Sequence, residues 1–201
     1  KKMELTPTQE LMNRYILATL YFALGGEEWY MQMNFLSNAD SCKWHDPLSS
    51  ESGIPTTVGV SCYNGESVRE IFLPAMNLKG SLPSELGLML DLYDINLFRN
   101  KIEGVIPDEL KNLRRLKSLV LHDNEIKGTL PEWLTSFSHL ANLNLSVNKL
   151  AGLLPSKIGE MPSLETLALE KNFLSGSLHA LKGSSKLRSL YLGGNAFLQG
   201  L

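Results

Sequence analysis

Leu116-Lys117-Ser118-Leu119-Val120-Leu121-His122-Asp123-Asn124-Glu125-Ile126-Lys127-Gly128-Thr129-Leu130-Pro131 is the stretch that decides the fold, because its skeleton returns. At the same offsets, 24 residues on, stand Leu140, Leu143, Leu145, Asn148, Leu150, Gly152, Leu154 and Pro155. Working outward in both directions, Gly80, Gly104, Gly128, Gly152, Gly176 and Gly200 recur every 24 residues, and Asn100, Asn124, Asn148 and Asn172 keep the same period. Six copies begin at Val68, Leu92, Leu116, Leu140, Leu164 and Leu187. A fixed period of this size means one supersecondary unit stacked on copies of itself.

Each repeated position has a physical task. Leu119 and Leu121 are two apart, so on an extended strand they point to one face, inward, while Val120 and His122 point outward. One strand per coil then stacks on the next as a parallel sheet. Asn124 stands where the chain leaves the strand, and its amide can satisfy backbone groups that the turn leaves unpaired. Gly128 allows torsions or a close approach that a side chain would obstruct. Pro131 fixes the torsion at the start of the convex side, as the first position of a short helix. A single unit cannot bury its own apolar face; stacking supplies the core.

The expected fold is therefore α/β: a leucine-rich-repeat solenoid, a right-handed superhelix with one parallel strand per 24-residue repeat. Residues 67–201 form the array and residues 1–66 a helical, disulfide-bonded amino-terminal cap. The first copy has Met76 at the asparagine position, as expected for a rung that meets a cap. The fifth has His179 in place of proline and is one residue shorter. The sixth stops soon after its strand with no polar cap, and is expected to be truncated, because terminal repeats need a polar outer face.

In the cap, Thr6-Pro7-Thr8-Gln9 reads as a helix start, with Thr6 as N-cap and Gln9 closing a capping box. Leu11, Tyr15, Ala18 and Phe22 form one helical stripe, and Gly25-Gly26 ends the helix. Trp29, Tyr30, Met31, Phe35 and Leu36 suggest a second short helix or turn beneath it, together a lid over the first rung. Cys42 and Cys62, the only cysteines, flank the loop Asp46–Thr57, whose Ser, Gly and Pro content predicts the least ordered part of the chain. An even count outside the array favours one disulfide and an oxidising compartment; the alternative is two buried thiols in a reducing one.

Composition excludes several classes. Nineteen basic and 21 acidic residues leave a net charge of −2, so nothing draws the chain to nucleic acid. No run of eighteen apolar residues is present, so no segment reads as a membrane span. Two cysteines do not make a zinc site, and His45, His122, His139 and His179 lack metal-ligand spacing, so no metal or cofactor is expected. There is no nucleophile elbow, phosphate loop or carboxylate pair at defined spacing, and no enzymatic reading is favoured.

The Leu-x-Gly-x-Leu-Pro signature and the Cys42-Lys43-Trp44…Gly59-Val60-Ser61-Cys62 cap resemble the plant-type leucine-rich-repeat family, over residues 40 to 201. That family includes receptor-like kinases, receptor-like proteins and polygalacturonase-inhibiting proteins. Arg14-Tyr15-Ile16-Leu17-Ala18-Thr19-Leu20-Tyr21 with Gly25-Gly26 and Trp29 is similar to receptor-type repeat proteins of diatoms and related algae. In the plant family the tryptophan and the second cysteine sit a few residues apart; here Trp44 and Cys62 are eighteen apart. The resemblance implies a secreted or membrane-anchored ectodomain, a twisted superhelix and an extra strand per repeat around Gly-x-Leu-Pro. Any membrane anchor or kinase would lie beyond Leu201. The partners it implies are a peptide, glycan or protein ligand and a co-receptor. The rival functions are a secreted inhibitor of a wall-degrading enzyme and a structural or adhesive role in a cell wall.

The concave face is the expected binding surface. Its candidate residues are Phe72, Phe98, Arg99, Val120, His122, Asp123, Glu170, Lys171 and Tyr191. Phe72, Phe98, Val120 and Tyr191 are apolar or aromatic residues facing water, and Phe72 with Phe98 can form one patch across adjacent rungs. Arg99 and Asp123 fall in one column a rung apart, close enough to form a surface ion pair. His122 beside them is placed to titrate near neutral pH. Asn144-Leu145-Ser146 is a glycosylation sequon, and a glycan on Asn144 would cover the middle of that face.

Overall fold

The inward leucines of the repeat do assemble a coil, described for residues 8–48 and 56–198 in a computed structural model. Six strands, hereafter rungs 1 to 6, run Ser67–Phe72, Asp94–Asn96, Ser118–Val120, Asn142–Asn144, Thr166–Ala168 and Ser189–Tyr191. They pair in parallel and in register, so Ile71, Ile95, Leu119, Leu143, Leu167 and Leu190 make one column. The first five are buried, each covered by its neighbours. Full burial of one such side chain is worth about 1.5–3 kcal/mol. Leu190, on the last rung, is 45% exposed.

A second strand per coil follows the asparagine. Lys79–Ser81 pairs with Lys101–Glu103, and Lys127–Gly128, Lys149–Gly152, Phe173–Ser177 and Ala196–Leu198 form a second parallel sheet. Gly80, Gly104, Gly128, Gly152 and Gly176 sit in or beside these strands at positive φ. Gly128 is at +88°, and a Cβ there would press on the Val105 side chain of the preceding coil. Short 3-10 helices, such as Asp108–Asn112 and Glu132–Ser136, line the convex side. Pro107 and Pro131 cap them from one position before the first helical residue rather than occupying it. Their φ is fixed near the helical value, but ψ near 139° is extended, so the helix begins one residue later.

The cap departs from expectation in several details. Its helix spans Gln9–Ala23 and is N-capped by Thr8, whose side chain accepts from Leu11 N. Gln9 is thus the first helical residue, and its amide binds Asn13 instead of closing a capping box. The Thr6 and Pro7 assignments lie outside the described residues. The buried face is Asn13, Ile16, Leu17, Leu20 and Tyr21, while Leu11, Tyr15 and Phe22 of the expected stripe are exposed. Both sets satisfy helical spacing, because apolar residues surround this helix. Packing against the rest of the cap and the first coil makes the choice, and Asn13 settles there by donating to Glu66 O.

Beneath the helix, Tyr21, Trp29, Phe35 and Trp44 touch in sequence with centroid separations of 5.1 to 6.0 Å. This is the expected lid, although Tyr30 and Leu36 are exposed rather than packed. Both ends of the Asp46–Thr57 segment lie in strands. His45–Leu48 and Thr56–Tyr63 form an antiparallel hairpin, and the latter strand pairs with rung 1, which extends the main sheet to eight strands. Residues 49–55 lie outside the description. Cys42 and Cys62 are disulfide-bonded and tie the Ser41–Lys43 turn to that hairpin. Among the described residues no helix is long and apolar enough to cross a membrane.

Candidate functional site

The outward residues of the rungs form ordered columns. Phe72, Asn96, Val120, Asn144, Ala168 and Tyr191 share one by register. Two positions on, Phe98, His122, Ser146 and Glu170 follow one another. Next come Arg99, Asp123, Val147 and Lys171, each in the left-handed region with φ between 53° and 59°. That conformation turns the chain out of the strand so that the following asparagine can point inward. It is costly for a β-branched residue such as Val147.

The expected site residues are placed as follows. Arg99 and Asp123 do pair, at 3.7 Å, with both side chains more than half exposed, which limits the pair to under about 1 kcal/mol. Phe98 and Phe72 do not share a column. Phe98 instead stacks flat on His122, with centroids 4.7 Å apart and planes 6° from parallel. Val120 is on the concave face but only 7% exposed, because it lies between Asn96 and Asn144 in mid-sheet; it does not face water as expected. Tyr191 and Lys171 are exposed, and Glu170 and Phe72 are half-buried. Asn144 points outward, half-buried, with its carbonyl accepting from Ser146 N.

Electrostatics refine this picture. His122 is pushed below its ordinary value, chiefly by burial, with Arg99 adding to the effect and Asp123 opposing it. Its titration is therefore moved to the acid side of the range expected from the sequence. Asp94, at the start of rung 2, is pushed up to about 6 by burial, with repulsion from Glu70 adding and the Ser118 hydroxyl opposing.

One feature escaped the sequence reading. Five buried side-chain polar atoms among the described residues have no hydrogen-bond partner, and four of them are on this face: Asp94 Oδ1, Asn96 Oδ1, His122 Nδ1 and Ser146 Oγ. Buried polar atoms are almost always satisfied, so such a cluster marks a face whose hydrogen-bonding capacity is unmet within the chain. The only sequence signal was a polar residue at several consecutive outward positions, which an ordinary solvated strand also shows. No group of three or more His, Cys, Asp or Glu side chains capable of holding a metal occurs among the described residues.

Comparison with known proteins agrees with this architecture. The family model described as Leucine rich repeat matches residues 90–150 and 138–197. A sequence comparison with curated proteins finds no match. Among solved structures, the chain is similar to the Arabidopsis receptor kinase HAESA, in complex with the peptide hormone IDA and the co-receptor SERK1. That match has 29% identity over 93% of this chain and 30% of that one, with a TM-score of 0.78. The Arabidopsis BIR2 ectodomain gives 26% identity over 93% of this chain and 94% of that one, with a TM-score of 0.77. The plant peptide hormone receptor RGFR1, in complex with RGF2, gives 31% identity over 65% of this chain and 21% of that one, with a TM-score of 0.63. The chain thus spans less than a third of the two hormone-bound receptors.

Proposed function

The chain belongs to the leucine-rich-repeat family, and from that premise we propose that it is an extracellular ligand-recognition ectodomain whose concave face binds a peptide. The observation that carries this reading is the cluster of unpartnered polar atoms on rungs 2 to 4. An extended peptide exposes backbone N–H donors and carbonyl acceptors at regular intervals. Asp94 Oδ1, Asn96 Oδ1 and the Ser146 hydroxyl are covered in the free chain, and a side-chain rotation on docking lets the two oxygens accept from such donors and the hydroxyl donate to such a carbonyl. Phe98, braced on His122, offers an apolar edge beside them. The disulfide suits an oxidising compartment. The similarity to a receptor kinase in complex with a peptide hormone and a co-receptor, and to a plant peptide hormone receptor in complex with RGF2, supports both the ligand class and a second protein partner.

The test is selection of a displayed library of random dodecapeptides on the intact disulfide-bonded chain. Enriched peptides are expected to bind at least tenfold more weakly to an Asn96→Leu/His122→Leu variant that retains the native melting temperature. Failure to enrich any peptide, or equal binding by the variant, overturns the reading.

A further inference from the structure

Arg69, within rung 1, and the residue just before each of rungs 2 to 6 form a ladder of their own. Tyr93 N donates to Arg69 O, Lys117 N to Tyr93 O, Ala141 N to Lys117 O, Glu165 N to Ala141 O and Arg188 N to Glu165 O. These positions edge the concave sheet on the side where the chain enters it. Their charge runs counter to the chain's slight net negative charge. Arg69, Lys117 and Arg188 are cationic, and Arg115 and Lys186 flank them; the acidic residues alongside are Asp91, bound to Arg115, and Glu165, bound to Arg188. The whole chain carries −2, and its convex 3-10 turns hold Glu85, Asp108, Glu109, Glu132 and Glu160. Positive charge thus predominates on this lateral edge, and a second set of lysines, Lys79 in register with Lys101 and Lys127 with Lys149, lies on the strands that follow the asparagines.

At the cap end of that edge the cations are braced by rings. The Arg69 guanidinium lies 4.8 Å from the Tyr63 ring centroid and 5.4 Å from that of Tyr93, while Lys117 Nζ lies 4.7 Å from Tyr93. Tyr63, Arg69, Tyr93 and Lys117 thus alternate ring and cation. Among the described residues neither Arg69 nor Lys117 has a carboxylate within ion-pairing distance. Stacking on a ring restrains a long side chain while leaving its N–H donors free, and a guanidinium so held is prepared for a planar oxyanion. Because this site has one unneutralised guanidinium and a neutral Arg115–Asp91 pair beside it, a monoanion matches its charge, and a carboxylate is the common one.

We propose that this lateral strip is a docking surface for acidic side chains of a peptide ligand, with one carboxylate on Arg69 and a second on Lys117. The proposal rests on the peptide-binding reading and adds the charge of the ligand and the edge over which it enters. Rungs are about 4.8 Å apart, so the two cations are separated by roughly 10 Å, which the long side chains of glutamates at alternate positions of an extended peptide can span from Cα atoms about 7 Å apart on one face. Glu70 and Asp94, one position further on, begin the concave face and limit the basic strip on that side.

The test measures fluorescence anisotropy with labelled (Glu-Ser)5, (Gln-Ser)5 and (Lys-Ser)5 decapeptides on the disulfide-bonded chain. The acidic peptide is expected to bind most tightly and to weaken as salt rises. Arg69→Gln and Lys117→Gln together should reduce its affinity at least tenfold, and Lys117→Gln alone at least threefold. The control Lys111→Gln/Lys127→Gln, with the same charge change elsewhere, should stay within twofold. Because Arg69 is packed, the exposed Lys117 variant keeps the test independent of folding. Equal affinity for the three peptides, or equal loss in the control, overturns the strip. A hexamer of galacturonate that outcompetes the peptide and is lost in the same variants overturns the peptide assignment. Library peptides that bind the concave face yet ignore Arg69 and Lys117 sink the strip alone; a library that yields nothing sinks both readings.

Discussion

The side-chain amide of Asn148 donates to Leu121 O, 27 residues earlier, at 3.0 Å. The same nitrogen reaches Leu145 O and Ser146 O, while its oxygen accepts from Ile126 N. One buried side chain thus closes its own turn and binds the preceding coil. Asn100, Asn124 and Asn172 repeat the arrangement, and Asn195 continues it across the shorter fifth copy.

Asn148→Ala should therefore cost at least about 2 kcal/mol, since several buried backbone groups lose their partner at once. Lys149→Ala removes only an exposed ion pair with Glu125 and should cost no more than about 0.5 kcal/mol. Urea titrations of the two variants provide the comparison; equal midpoints would mean the ladder carries no stability.

Closing a loop of about 20 residues, the Cys42–Cys62 bridge should stabilise the chain by roughly 3 kcal/mol in the chain-entropy model. Thiol titration of the denatured, unreduced protein should find no free thiol. Paired Cys42→Ser and Cys62→Ser replacements should lower the melting temperature.

Gly80 has φ +123°, and an added Cβ would strike the Ala23 carbonyl at the end of the cap helix. At Gly104 the same atom would meet the Ser81 hydroxyl, which can rotate away. Gly80→Ala should thus be the more destabilising by about 1 kcal/mol or more, because backbone does not yield as a side chain does. Thermal melts of the two single variants decide this.

Asp94 carries a pH signature. Its folded value, about 6, is above the ordinary 3.8, so the folded state holds the proton more tightly. Its contribution is fully present below about pH 4 and is lost as pH rises through 6. Partial exposure discounts the effect to about 1–2 kcal/mol. Asp94→Asn should flatten the stability profile between pH 4 and 7, as measured by denaturant midpoints in that range. A profile identical to the native one would show that the carboxyl is not desolvated.

Leu187 and Leu192 are half-buried on the last rung and Leu190 is more exposed, whereas Leu143 and Leu167 are fully covered. Amide exchange should accordingly open from residue 187 onward before the rungs at Leu119 and Leu143. Uniform protection through Leu198 in a monomer would contradict this.

The repeat, its inward leucines, the asparagine ladder, the glycine turns and the Arg99–Asp123 pair were all legible in the sequence. Each is imposed by a local rule, period two along a strand and period 24 along the chain, that needs no knowledge of the neighbours. The cap helix was legible as an element but not in orientation: two apolar faces satisfied the same spacing, and only packing against the first coil buried Ile16 and Leu20 and left Tyr15 and Phe22 outside. The binding surface was decided still later. Whether Val120 is covered, Phe98 finds His122, or Asp94 Oδ1 is left without a partner depends on side chains brought from adjacent coils. Arg69, Tyr93 and Lys117 become a single edge for the same reason: residues 24 apart in sequence stand one sheet spacing apart in space.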